Sequence, residues 1–420
     1  MVDTSAVDVL PMEIISTIFE CGCMLRPCDS IPFEILIAQI ALATPNLWTR
    51  IHIIFPARHM PEITAQYLLR SGTLPLDLSI VLHGIHLMES QSGHDMQQTG
   101  QVLATHINRW REMRVSYGLH QALLDFMKLL PSAPATLLET IQIQCTETSS
   151  HPQLDITSLF NPSAPALRTI RLSSVGPPNS LPGLLSVTHL QLQDRTLCYW
   201  GRCGVAYTKL LSEMPCLTHL TLRGYSLIGG WPTPSVPFTL HSLAHLEIRF
   251  DPQRSGENVI QILSEMTAPR LESLLLKNIT NDDLSHLSSP STANTFSFPM
   301  LQALTLLTPG WFNNETPHLL STAFPLITHF TYKGNDLDVF LRTNVWPRLH
   351  AITFLRNHIS PVLHVAAIKQ RLRHRPFARL ELPKGLLTPP ELAVLREFLD
   401  VEELVTDTHA DSVEWPDLFY

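Results

Sequence analysis

The chain has 420 residues, and its 29 Lys+Arg against 37 Asp+Glu give a formal charge of −8. Only 16% of residues are charged and 45% are hydrophobic, with 33 Pro against 7 Tyr. That balance excludes a disordered chain, which needs fewer apolar and more charged residues. It also argues against a general nucleic-acid binder, because a net-acidic chain supplies no overall basic field.

The first element, residues 8–19, reads as a short amphipathic helix carrying Leu10, Ile14, Ile15, Ile18 and Phe19. Pro11 lies close to its start, where the missing N–H does no harm. The most apolar stretch, residues 33–43, contains Glu34 and Gln39 and is far too short to cross a bilayer. No basic stretch followed by an apolar core and a small-residue cleavage site is visible at the start, so the sequence predicts an intracellular protein. The seven cysteines are an odd number, and those after Cys28 are scattered, which suits reduced thiols. Cys21, Cys23 and Cys28, or Cys198 and Cys203, lack a second pair at finger-like spacing, so ordinary thiols are the expectation over zinc ligands.

From about residue 110 onwards one pattern recurs: apolar, two residues, apolar, one residue, apolar. It runs through Leu138/Ile141/Ile143, Leu167/Ile170/Leu172, Val187/Leu190/Leu192, Leu217/Leu220/Leu222 and Leu243/Leu246/Ile248. It continues in Leu271/Leu274/Leu276, Leu301/Leu304/Leu306, Ile327/Phe330/Tyr332, Leu349/Ile352/Phe354 and Phe377/Leu380/Leu382, and ends at a weaker Val401/Leu404/Thr406. Trp110/Met113/Val115 extends it backwards, with a degenerate turn near Leu74–Ile80. The spacing averages about 26 residues, inside the range of leucine-rich repeats. The last two apolar positions of each unit sit two apart, so on a strand both face one side. A proline stands two residues before the first apolar position at 165, 215, 269, 299, 325 and 347, which suits a loop entering a strand. Residues 257–266 and 362–373 have helical character. Each unit buries about three aliphatic side chains at roughly 1.5–3 kcal/mol apiece before entropy, too little for one unit to stand alone.

The N-terminal residues then gain a context. The start Leu10-Pro11-x-Glu13-Ile14 and the run Ala41 to His52, with Thr44-Pro45-Asn46-Leu47-Trp48, resemble an F-box. Followed by Arg70 to Ser79 and the repeats, the whole chain resembles the F-box proteins with irregular leucine-rich repeats that are expanded in mushroom-forming (basidiomycete) fungi. The Val-Cys-x-x-Trp element that the family carries before its Ala-Leu-Ala-Thr-Pro run is lacking here, since Ile37 to Ile40 lead straight into Ala41.

The resemblance implies an α/β chain: an F-box-like helical module over 1–55, shortened in its third-helix region, then a curved leucine-rich-repeat solenoid over 56–420. It implies a substrate-recognition subunit of an SCF-type cullin–RING ubiquitin ligase, cytoplasmic or nuclear. Leu10, Pro11, Ile14, Ile15, Phe19 and Trp48 would grip the ligase adaptor and, through it, the cullin, while the repeats hold an unknown target protein. The alternatives are an N-terminal helix that merely caps the first repeat, and a repeat scaffold that no longer binds the adaptor.

Catalytic signatures are lacking: no Gly-x-Ser-x-Gly, no phosphate loop, no His-Glu-x-x-His and no dinucleotide fingerprint occur. The expectation is therefore a protein that is not an enzyme, with no cofactor, no metal, no nucleic acid and no membrane partner. If the strands align, their outward residues form columns. His189, His219, His245 and His329 share one; Arg171, Gln191, Thr221 and Glu247 the next; Gln193, Arg223, Arg249, Lys277 and Lys333 the third. The third column, with His219 and His245 beside it, is the expected target-binding face, suited to an acidic or phosphorylated signal. Metal binding by the histidines, tuning between pH 5 and 8 and a merely solvated face are the other readings.

Overall fold

The structure is a computed structural model. It describes residues 42, 44–56, 59–83, 91–118, 120–129, 134–146, 164–174, 184–193, 209–224, 238–249, 262–285, 296–308, 312–334, 337–343, 345–355, 361–374 and 377–404. The chain is α/β and divides into two compact units, one built mainly from residues 1–147 and one mainly from 184–420.

In the first unit strands and helices alternate: β1 (Arg50–Phe55), α1 (Met60–Arg70), β2 (Leu76–Leu82), α2 (Gln91–Ala104), β3 (Trp110–Tyr117), α3 (His120–Leu129) and β4 (Thr140–Cys145). The four strands pair in parallel in sequence order. Among the described residues the first strand is Arg50–Phe55, so the last residues of the segment 1–55 are strand rather than helix. Trp48, Ile51 and Ile53 repeat the apolar spacing seen downstream, and Ile51 and Ile53 stand opposite Leu78 and Ile80. Arg109 fastens the end of α1, donating to the Leu74 carbonyl and to the Ser71 hydroxyl.

The second unit holds β5 (Thr169–Ser173), β6 (His189–Gln193), β7 (His219–Arg223), β8 (Phe238–Thr239), β9 (His245–Arg249), β10 (Met266–Thr267), β11 (Ser273–Lys277), β12 (Ala303–Leu307), β13 (His329–Lys333), β14 (Ala351–Phe354), β15 (Arg379–Pro383) and β16 (Asp400–Leu404). Ten of these form one parallel array in sequence order, while β8 and β10 pair separately. Residues 257–266 were expected to be helical; among their described members 262–265 are, but Met266 lies in β10. The helix expected at 362–373 is present as Pro361–His374.

The proline rule has a structural cause. The corner residue donates its N–H three residues back, Leu167 to Ala164, Leu217 to Met214, Leu271 to Ala268, Leu301 to Phe298 and Leu349 to Trp346. Proline then occupies the second position of a β-turn, where its fixed φ fits and its absent N–H is not needed. The first residue of each turn is itself buried: Ala164, Met214, Ala268, Phe298, Phe324 and Trp346. A fourth core position, three before the corner, therefore belongs to the repeat. After the strand, Ser174, Gly224 and Asn278 take positive φ, turning the chain while their N–H groups bond the next strand's last carbonyl.

The triplets from Leu138 to Leu382 are buried as the spacing predicts. The last one is corrected. Val401 stands opposite Leu380 and Glu403 opposite Leu382, so Val401 is the middle residue of its unit, not the corner. The helix before it is fixed by a capping box in which Thr388 and Glu391 satisfy each other's backbone, and the strand after it comes three residues earlier in the chain than the apolar spacing suggests. Around β13 the core turns aromatic: Phe330 lies 4.8 Å from Trp346 and 4.9 Å from Phe340 between ring centroids, and the Trp346 indole N–H donates to the Phe324 carbonyl. Among the described residues no helix is long and apolar enough to cross a membrane.

Burial of these positions is the main stabilising term. Replacing Leu220, 1% exposed, by Ala is expected to cost about 2–5 kcal/mol. Leu185→Ala, at a residue 71% exposed, is expected to stay within about 0.5 kcal/mol. Denaturant midpoints of the two variants check the pair.

Candidate functional site

Strict register in the second unit puts equivalent residues of successive strands side by side on the face opposite the buried triplets. His189 stands opposite His219, and His219 opposite His245; then come Ser273, Ala303 and His329. Arg223, Arg249 and Lys277 are consecutive partners in another column, followed by Leu307 and then Lys333. Arg171, Gln191, Thr221 and Glu247 run between these two columns. The expected target-binding residues are thus brought to one face. His219 and His245 touch, Arg223, Arg249 and Lys277 are neighbours, and Lys333 stands two strands beyond Lys277.

The histidines form a stack. The rings of His189 and His219 lie 4.2 Å apart at 10°, and those of His219 and His245 lie 4.4 Å apart at 30°. The preceding threonines orient them. Thr218 Oγ1 donates to the Thr188 carbonyl at 3.0 Å, so the 2.9 Å bond to His219 Nδ1 is donated by the ring. Nδ1 therefore carries the proton in the neutral ring, and Nε2 keeps its lone pair. Thr328 and His329 repeat the arrangement, with Gln302 supplying the carbonyl. Burial, then His189 and His245, push His219 down to about 4. Burial, then Arg171 and His245, lower His189. Stacked rings in contact disfavour charge on one another, and His219 is held neutral at pH 7. No group of three or more metal-ligating side chains among the described residues is placed to hold a metal ion.

The cationic column carries its own counter-ion, which sequence reasoning did not foresee. Glu247 pairs with Arg249 and lies 3.7 Å from Arg223. Both guanidinium side chains are largely shielded, at 18% and 12% exposure. Further along the same face Arg379 pairs with Glu381 at 2.9 Å and also with Glu402. Thr353 donates to Glu381 as well.

Of the expected adaptor-binding residues, Leu10, Pro11, Ile14, Ile15 and Phe19 lie outside the described residues. Trp48 is described, and it packs on its own chain. Its ring meets Tyr67 edge-on at 5.1 Å, and the Arg70 guanidinium sits 4.4 Å over it, a cation–π contact. The sequence signal for this role was present: Trp48 holds the corner position of the first apolar triplet. Cys145 is buried, its thiol donating to the Gly118 carbonyl, and Cys216 is exposed; Cys21, Cys23, Cys28, Cys198 and Cys203 lie outside the described residues.

No protein-family model matches the chain, and no curated protein matches it. Among solved structures it is similar to a structural-genomics target protein from Bacteroides fragilis, at 13% identity and a TM-score of 0.37, over 76% of this chain and 84% of that one.

The ladder makes stability depend on pH in one direction. Above the ordinary histidine pKa of about 6.5 folded and unfolded chains both hold His219 neutral, and its contribution is fully present. As pH falls from there towards about 4, the unfolded chain takes up a proton that the folded chain refuses, so stability drops. His219→Gln is expected to flatten that part of the acid limb. Thermal melts at pH 7, 6, 5 and 4 check it, and parallel losses in both proteins would contradict it.

Proposed function

We propose that the chain is a substrate receptor of an SCF-type ubiquitin ligase, with the open face of its second unit as the target-binding surface. The observation that supports this is the register that lines up Arg223, Arg249 and Lys277 on consecutive strands. A fixed row of side chains across successive strands suits a protein segment running over them, as it does no small-molecule reaction. On this reading the N-terminal segment, through Leu10, Pro11, Ile14, Ile15 and Phe19, docks on the ligase adaptor and thereby on the cullin, in the cytoplasm or nucleus. The protein performs no covalent chemistry. It raises the local concentration of a bound target beside the conjugating enzyme.

The packing of Trp48 on Tyr67 and Arg70 favours a second reading. A tryptophan committed to its own repeat contributes less to an adaptor surface, and the repeats then act as a protein-binding scaffold outside any ligase.

Co-purification separates the two. The full chain is expected to retain the purified adaptor, and Leu10→Asp is expected to abolish that retention, because an unpaired carboxylate at a docking surface is strongly unfavourable. A folded full chain that fails to retain the adaptor would leave the scaffold.

A further inference from the structure

The open face of the second unit is electrostatically polarised. Over β5–β13 it presents Arg171, Arg223, Arg249, Lys277 and Lys333. Glu247 is the one carboxylate at the described outward positions of those strands. The outward positions of β15 and β16 reverse the sign, with Glu381, Asp400 and Glu402 against Arg379. In a chain of net charge −8, this cationic stretch runs against the overall composition. On β12–β14 the middle column is threonine throughout, Thr305, Thr331 and Thr353, and Ala303 and Ala351 flank His329, so a backbone can lie close to the sheet along that column.

We infer that this face binds an extended protein segment rich in Asp and Glu, whose acidic run is limited in length by the carboxylates of β15 and β16. From β5 to β13 there are six strand steps of about 4.8 Å, roughly 29 Å in all. An extended chain covers that distance in about nine residues. Beyond it an acidic partner meets like charge, whereas a neutral or basic continuation does not. Glu247 plays a positioning part: it holds the Arg223 and Arg249 guanidinium groups in place, which lowers the ordering cost of meeting an anion. The His189–His219–His245 stack runs beside the cationic column on the same strands, and the fixed positive charges there are those of arginine and lysine. This inference rests on the target-binding reading of the face and is independent of the adaptor.

The test uses the full chain and fluorescence anisotropy with four labelled peptides: one with an acidic run of about nine residues, one about twice as long, a Ser/Gly peptide of matched length and the same Ser/Gly peptide with its serines phosphorylated. The short acidic peptide is expected to bind at least tenfold more tightly than the Ser/Gly peptide, and the preference is expected to shrink with added salt. Arg223→Glu with Arg249→Glu is expected to abolish it. Lys277→Glu with Lys333→Glu, at sites outside the Glu247 ion pairs, is expected to weaken it at least tenfold and keeps the test decisive should the arginine variant fail to fold. Glu381→Lys with Glu402→Lys is expected to tighten the long acidic peptide several-fold and leave the short one unchanged. Equal binding of acidic and Ser/Gly peptides, or indifference to the lysine reversals, would overturn the inference, as would binding only when serines of the probe are phosphorylated. Adaptor retention by the same preparations is read separately, so a failure of this inference and a failure of the ligase reading are told apart.

Discussion

The constraint on which this molecule depends is the in-register stacking of turns that are individually too small to be stable. Each unit contributes one short strand and a few aliphatic side chains, and the strand's N–H and C=O groups find partners in the units before and after it. Burial and backbone pairing are therefore satisfied by the same event, the addition of a neighbour. The proline-bearing turn sets the corner, the buried residue three before the corner adds a fourth side chain to the core, and a left-handed residue such as Gly224 or Asn278 lets the chain leave the strand.

That same constraint makes the candidate site. Because a parallel ladder with one buried face cannot slip by a single residue without exposing its leucines, the residues between the leucines are aligned as strictly as the core. A histidine in one unit must meet the histidine in the next at the strand spacing, which brings the rings of His189, His219 and His245 within stacking distance. An arginine must meet an arginine unless a counter-ion intervenes, and Glu247 intervenes between Arg223 and Arg249. The face is polar for reasons of stability and patterned because the core is patterned.

Much of this was legible in the sequence. The triplet spacing located the strands from Leu138 to Leu382, since a leucine that must be buried at each turn leaves a periodic record. The columns followed from the period of two. Other features left weaker traces. Val401 and Leu404 fit the apolar spacing by themselves, and only pairing with Leu380 and the capped helix before β16 shows that Val401 is a middle residue. The buried position before each corner was overlooked because alanine, methionine, phenylalanine and tryptophan alternate there instead of leucine. Trp48 was assigned to a docking surface from the motif around it, although Trp48, Ile51 and Ile53 repeat the core spacing. The pairing of Glu247 with two arginines depends on side-chain reach across strands, which no linear spacing records.

The central claim is the register of the second unit, and distances between spin labels along one column test it most directly. With one label at Thr221 and the second at Thr305, Thr331 or Thr353 in turn, the account predicts separations that rise by about one strand spacing each time, near 14, 19 and 24 Å before the label linkers. Separations that fail to increase in that order would contradict it.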